Sequence, residues 1–169
     1  MIHIGFHEVD VCNSSDSTIM RVNGDLVING RFHIGRGSKI VIKKQAQLII
    51  GDNFGISASS SINCYNKIII GKDVLLAWDV LVMDTDAHPI FGGKGQVINA
   101  GRSVIIGDHV WIGCRSTILK GSHIPDGCVV GACSTVTGSK FAPNTIIIGQ
   151  PAKSTKKIER WEEHWPGFA

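Results

Sequence analysis

At 169 residues, with 43% hydrophobic and 18% charged residues, the chain is sized and composed for a single packed domain, residues 1–169, and not for a disordered segment. Its 17 Lys and Arg exceed its 14 Asp and Glu by only +3 and are scattered, so the basic stripe that tracks a nucleic-acid backbone is missing. No stretch reaches the roughly 18 apolar residues of a membrane span and the opening MIHIGFHEVDVCNSS has no signal-peptide pattern, so a cytoplasmic protein is expected.

The five cysteines, Cys12, Cys64, Cys114, Cys128 and Cys133, form no CxxC pair and read as reduced thiols. Up to about Arg21 the chain shows no regular pattern. From there, aliphatic residues recur every six positions: Val22, Ile28, Ile34 and Ile40, then Ile50, Ile56 and Ile62, then Ile70, Leu76 and Val82. Extra residues between runs interrupt the register without ending it.

Between Val82 and Ile106 the repeat lapses, which predicts a loop extruded over about residues 83–105. The repeat then resumes as Ile106, Ile112, Ile118, Ile124, Val130, Val136, Ala142 and Ile148. Gly often follows the aliphatic residue, and the fourth position after it is small or β-branched, as at Val110, Ser116, Ser122, Cys128 and Ser134.

A period of six matches neither a 3.6-residue helix nor simple strand alternation, so it marks a solenoid. Each hexad supplies a short strand and a turn, and three close one triangular coil of about 18 residues, with the aliphatic side chain on the axis. Gly is expected to supply the φ values the turns need. A β-helix over residues 22–150 follows. Beyond Pro151, the helix formers of Ser154–Glu163, with Ser154 as a candidate N-cap, predict a short helix within a C-terminal segment 151–169.

The extruded loop carries His88 within Asp84-Thr85-Asp86-Ala87-His88-Pro89. An imidazole with an ordinary pKa near 6.5 can take the proton of a hydroxyl that attacks a thioester. Asp84 or Asp86 could orient its ring from the other nitrogen, or cap the turn before Pro89.

The repeat, this His-Pro loop and Ile106-Gly-Asp-His-Val-Trp-Ile-Gly-Cys114 together resemble the hexapeptide-repeat acyltransferases, in particular galactoside, maltose and polysaccharide O-acetyltransferases. The resemblance implies an all-β, left-handed parallel β-helix. Spacing alone would not predict that hand, because left-handed parallel crossovers are the exception. It further implies an acetyltransferase using acetyl-CoA, His88 as general base, a homotrimer with sites between subunits, and a role in polysaccharide biosynthesis.

By the same resemblance, Asn63 and Trp111 lie on the substrate side, and Cys114, Ala132 and Thr137 on the coenzyme A side. The segments Val130-Gly-Ala-Cys-Ser-Thr-Val-Thr137 and Ile148-Gly-Gln-Pro-Ala-Lys153 resemble the stretches that line the coenzyme A groove, which makes Lys153 and Lys156 phosphate-facing cations. One extra residue near Gly138-Ser139-Lys140 lets Lys140 stand in for a family lysine. No metal is expected. N-acyl transfer to an amino sugar and a non-catalytic scaffold are the alternatives. A zinc-dependent γ-type carbonic anhydrase, which would use His88, His109 and His123, lacks its paired His-x4-His because Cys114 stands where the second histidine should be.

Overall fold

The computed structural model describes residues 1–6, 11–138 and 141–163. Nineteen short strands run among these residues and no helix. After β1 (Ile2–Phe6), successive coils are β2–β3–β4 (Ile19–Val22, Asp25–Ile28, Phe32–Gly35), β5–β6–β7 (Lys39–Ile42, Gln47–Ile50, Phe54–Ile56) and β8–β9–β10 (Ser61–Cys64, Lys67–Ile70, Leu75–Leu76). Then come β11–β12–β13 (Leu81–Met83, Val104–Ile106, Trp111–Ile112), β14–β15–β16 (Thr117–Leu119, His123–Ile124, Val129–Val130) and β17, β18 and β19 (Thr135–Thr137, Thr145–Gly149, Ala152–Lys157).

Each of the first five coils contributes one strand to each of three sheets, of eight, six and five strands, while the last places β17 in the six-stranded sheet and both β18 and β19 in the eight-stranded one, and every pairing between coils is parallel. The result is a parallel β-solenoid of about six turns, with a triangular section. The eight-stranded sheet also takes in β1, which pairs with β4, so the first residues join the solenoid although they carry no repeat.

The hexad aliphatics Ile34, Ile40, Ile50, Ile56, Ile62, Ile70, Leu76, Val82, Ile106, Ile112, Ile118, Ile124, Val130 and Val136 are all buried on the axis. Each stabilises the stack by about 1.5–3 kcal/mol relative to exposure. The small residues fill the corners, where the Ser116 hydroxyl donates to the Gly131 carbonyl (3.0 Å) and that of Ser122 to Leu119 (2.6 Å) and Val136 (3.1 Å).

Turn geometry differs from the expectation. The left-handed residue is the third after the aliphatic one, and it is more often not glycine: Asn53, Asp73, Asp79, His109, Arg115 and Cys133 all have φ between 52° and 58°. Gly113 follows its aliphatic residue directly and serves space instead, since a Cβ there would stand 2.7 Å from the Ala132 nitrogen of the next coil.

Two expectations are corrected near the C-terminus. Ile147 is buried and Ile148 lies outward at 44% exposure, because the last coil is one residue short, Val130 pairing with Ile147 after 17 positions where Ile112 pairs with Val130 after 18, and a one-residue shift exchanges the faces of a strand. Ser154–Glu163 is not a helix: residues 152–157 form β19, antiparallel to β18, and 158–163 are irregular. Ser and Thr disfavour helix interiors, and this stretch lacks an apolar stripe to bury, whereas β18 offers it a full backbone ladder. The remainder of the 151–169 tail, from residue 164, and Lys140 lie outside the described residues.

Candidate active site

The loop spans residues 84–103, between β11 and β12, and leaves the edge where the six- and five-stranded sheets meet. Its root is Asp84, fully buried, whose carboxylate accepts the backbone N–H groups of Tyr65 and Asn66 (both 2.8 Å) and lies 3.8 Å from the Cys64 thiol. Burial, and then the neighbouring Asp84 carboxylate, push that thiol up to about 12, so Cys64 is inert. Asp84 thus fastens the loop to the turn of the preceding coil and does not meet His88.

Asp86 binds elsewhere too. Its Oδ2 accepts from Lys120 Nζ (2.5 Å) and Asn99 Nδ2 (2.9 Å), and Lys120 also donates to the Asn99 carbonyl (2.7 Å). The Lys120 hydrogen bond, then that of Asn99, hold the Asp86 carboxyl below the usual carboxylate range. Asn99 completes the clip: its amide donates to the His88 carbonyl (2.8 Å) and its Oδ1 accepts from Ile90 N–H (2.6 Å).

The backbone at His88 is therefore fixed from three sides, with His88 N–H also donating to the Asp86 carbonyl (2.7 Å) and Ala87 left-handed at φ 64°. The imidazole itself is exposed, with no hydrogen-bond partner among the described residues. Past it the loop folds as a hairpin, Phe91 opposite Val97, whose Ile90, Phe91, Val97 and Ile98 are all exposed. Asn99 and Lys120 were not foreseen from the sequence. Lys120 sits two residues after a core isoleucine, where a solvated surface lysine is the ordinary expectation.

The other expected residues divide between two faces. In-register pairing puts Asn63 beside Met83, and Leu119 beside Thr137, on one outward row of the six-stranded sheet. Cys114 and Ala132 occupy the turns between the six- and eight-stranded sheets in consecutive coils. Trp111, 39% exposed, faces outward on the eight-stranded sheet in a row that runs His3, His33, Gly55, Leu75, Trp111, Val129, Ile146 and Lys156.

Lys153 shares that face. The register shift at Ile146/Ile147 pairs Lys153 with Ile148 and Lys156 with Ile146, so two lysines three positions apart point the same way. Within one chain, then, Trp111 and the lysines lie on the face opposite the edge that bears His88. Nor do His88, His109 and His123 converge: among the described residues no three His, Cys, Asp or Glu side chains form a metal-binding group.

Residues 103–138 match the family described as bacterial transferase hexapeptide (six repeats). Over 156 residues the chain is 30% identical to WbbJ of Escherichia coli K-12, named for O-acetyl transfer in lipopolysaccharide biosynthesis, covering 86% of this chain and 79% of that protein. The chain belongs to the hexapeptide-repeat acyltransferase family. It is also 54% identical over 56 residues to the polysialic acid O-acetyltransferase of Neisseria meningitidis, a match covering 32% of this chain and 26% of that protein. The crystal structure of NeuO, a polysialic-acid-specific acetyltransferase, superposes with a TM-score of 0.72 at 27% identity, covering 96% of this chain and 78% of that one.

The clip on the loop has a measurable signature. Asp86, its carboxyl lowered by Lys120, contributes order that is present above the unfolded carboxylate pKa of about 3.9 and is lost as the pH falls through the lower folded value. Lys120→Met should lower hydrogen-exchange protection at Ile90 about tenfold at pH 7, the scale of one charge-assisted hydrogen bond. Wild type should lose the same protection only in acid, and unchanged protection in the variant would show that Asn99 alone holds the loop.

Proposed function

We propose that the protein is an O-acetyltransferase that moves the acetyl group of acetyl-CoA to a saccharide hydroxyl, with His88 as general base. The observation that carries this reading is an exposed imidazole on an extruded loop whose backbone is clamped by Asn99, Asp86 and Lys120. Relatives named as O-acetyltransferases of saccharides support the reaction class.

In the reaction, the imidazole takes the hydroxyl proton as the oxygen attacks the thioester carbonyl. The C–O bond forms, the tetrahedral intermediate collapses with cleavage of the C–S bond, and the thiolate leaving group recovers the proton from the imidazolium. Asp86 sits at the loop's base and acts through the clip, as a positioning residue. Lys153 and Lys156 meet the phosphates of coenzyme A as exposed point charges, with Ala132, Cys114 and Thr137 along the route of the donor. A cytoplasmic location fits both this donor and the unbridged thiols of Cys64, Cys114, Cys128 and Cys133.

A site that contains both His88 and Trp111 requires two copies of the chain, because the two lie on opposite sides of one prism. The exposed Ile90, Phe91, Val97 and Ile98 of the hairpin provide an apolar tip, and Trp111 and Ile148 an apolar partner face. Such a contact joins two different patches, and it closes into a ring, here a homotrimer. Sedimentation equilibrium should return three times the chain mass, and Phe91→Asp should dissociate the assembly and abolish transfer; an active monomer would rule out the shared site.

His88→Ala should lower kcat and kcat/KM together by about 10²–10⁴, leaving the melting transition and donor binding intact. Steady-state acetyl transfer between pH 5 and 9 measures this, and near-wild-type kcat at pH 7.5 would remove His88 from the mechanism. Lys153→Gln with Lys156→Gln should raise the acetyl-CoA KM about tenfold at low salt, less at high salt where ions screen the charges, with little effect on kcat. Donor KM unchanged at low salt would relocate the phosphate site.

A further inference from the structure

A cavity of about 330 Å³ opens on the outward face of the eight-stranded sheet, beside Trp111 and away from the lysines. Its floor is Gly55 and Leu75, its walls include His33 and Asp73, and the C-terminal segment roofs it with Trp161 and Glu163. The volume falls within the range of small-ligand pockets, about 300–1,000 Å³.

The floor shows that the hollow is built into the stack. In the eight-residue row through Trp111, Gly55 alone has no side chain. Its backbone does not call for glycine, since its φ is not positive, and a Cβ there would meet nothing closer than Leu75 Cδ1 at 3.4 Å. A β-branched residue would suit the strand better. What glycine supplies at this position is depth.

The roof is held in place. Trp161 Nε1 donates to the His109 carbonyl (2.8 Å), His109 Nε2 lies 3.1 Å from the Trp161 carbonyl, and the two rings stack with centroids 4.5 Å apart. Trp111 stands 6.0 Å from Trp161, so the cavity is bordered by an ordered aromatic cluster. Around it the ionisable groups are mainly acidic: Asp73, which accepts from Asn53 Nδ2 (2.9 Å), Glu163, and Glu162, which pairs with exposed Arg160 (2.6 Å).

We infer that this cavity is the acceptor subsite, and that it takes a neutral or amine-bearing sugar ring and disfavours polyanionic saccharides such as those built of sialic acid. Aromatic edges with carboxylate and amide acceptors match the apolar faces and hydroxyl donors of a pyranose, while a sugar carboxylate would meet like charge. The inference rests on the acetyltransferase reading for the word acceptor. It also arranges that reading along one row. At a strand spacing of about 4.8 Å, Lys156 lies roughly 14 Å to one side of Trp111 and Gly55 roughly 10 Å to the other, so donor phosphates and acceptor ring flank the acyl position.

The test is saturation-transfer-difference NMR titration of the full chain with methyl β-D-glucopyranoside, its 2-amino analogue and α2,8-linked disialic acid. Wild type and His88→Ala should bind the first two at least tenfold more tightly than disialic acid. Gly55→Val, which fills the floor, and Trp161→Ala, which removes the roof outside the stack, should each weaken glycoside binding at least tenfold while the melting temperature and coenzyme A affinity stay unchanged. Glycoside binding that survives both substitutions, or disialic acid binding as tightly as the glycosides, overturns the inference. Release of free thiol from acetyl-CoA in the same samples separates the two readings: binding sensitive to Gly55→Val without glycoside-dependent thiol release retains the sugar site and sinks the acetyltransferase, whereas transfer indifferent to both substitutions retains the acetyltransferase and sinks this subsite.

Discussion

Everything in this molecule depends on the in-register, parallel hydrogen bonding of each coil to the next. That pairing makes a side chain's neighbours predictable without tertiary folding, because a residue's partner above and below is its counterpart one coil away. Inward columns become an unbroken apolar rod, from Ile34 and Ile40 to Val130 and Val136. Outward columns become rows, and a row can carry a function across several coils. Most corners are tight enough to hold a left-handed residue, and Asn, Asp, His, Arg and Cys accept that cost because the stack above and below over-determines their backbone.

This regularity explains what could be read from the sequence. The period of six identified the solenoid, most of its buried positions and the place where the loop leaves, although Val22, Ala142 and Ile148 proved exposed; the family was recognised by resemblance, from the repeat together with the His88-Pro89 loop and the Ile106–Cys114 motif. What could not be read were features that break the period or join distant residues. The C-terminal strand depends on the ladder offered by β18, which is invisible to local propensity. The exchange of Ile147 for Ile148 follows from a last coil that is a single residue short. Lys120 reaches Asp86 across 34 positions, and Trp161 reaches His109 across 52, so neither contact leaves a local pattern. Gly55 looks like any other turn-rich glycine until its row is known.

The two faces also divide the labour of the proposed reaction. The loop edge supplies an exposed imidazole on a clamped backbone, and the eight-stranded sheet supplies a platform with cations at one end and a hollow at the other. Asp84 illustrates how a chemically suggestive residue is absorbed by architecture: its carboxylate satisfies two backbone donors at a corner and so anchors the loop that carries His88.

The antiparallel strand β19 has a further consequence. A parallel solenoid ends in unpaired backbone groups, a template on which another copy could grow indefinitely. By folding back on β18, residues 152–157 occupy that edge on the largest sheet, and they present a strand of opposite polarity studded with Lys153, Lys156 and Lys157. An edge strand bearing lysines is a poor template for a further coil, because a newcomer would have to desolvate those charges. The cations proposed to meet the donor thus also stand on the edge of the largest sheet.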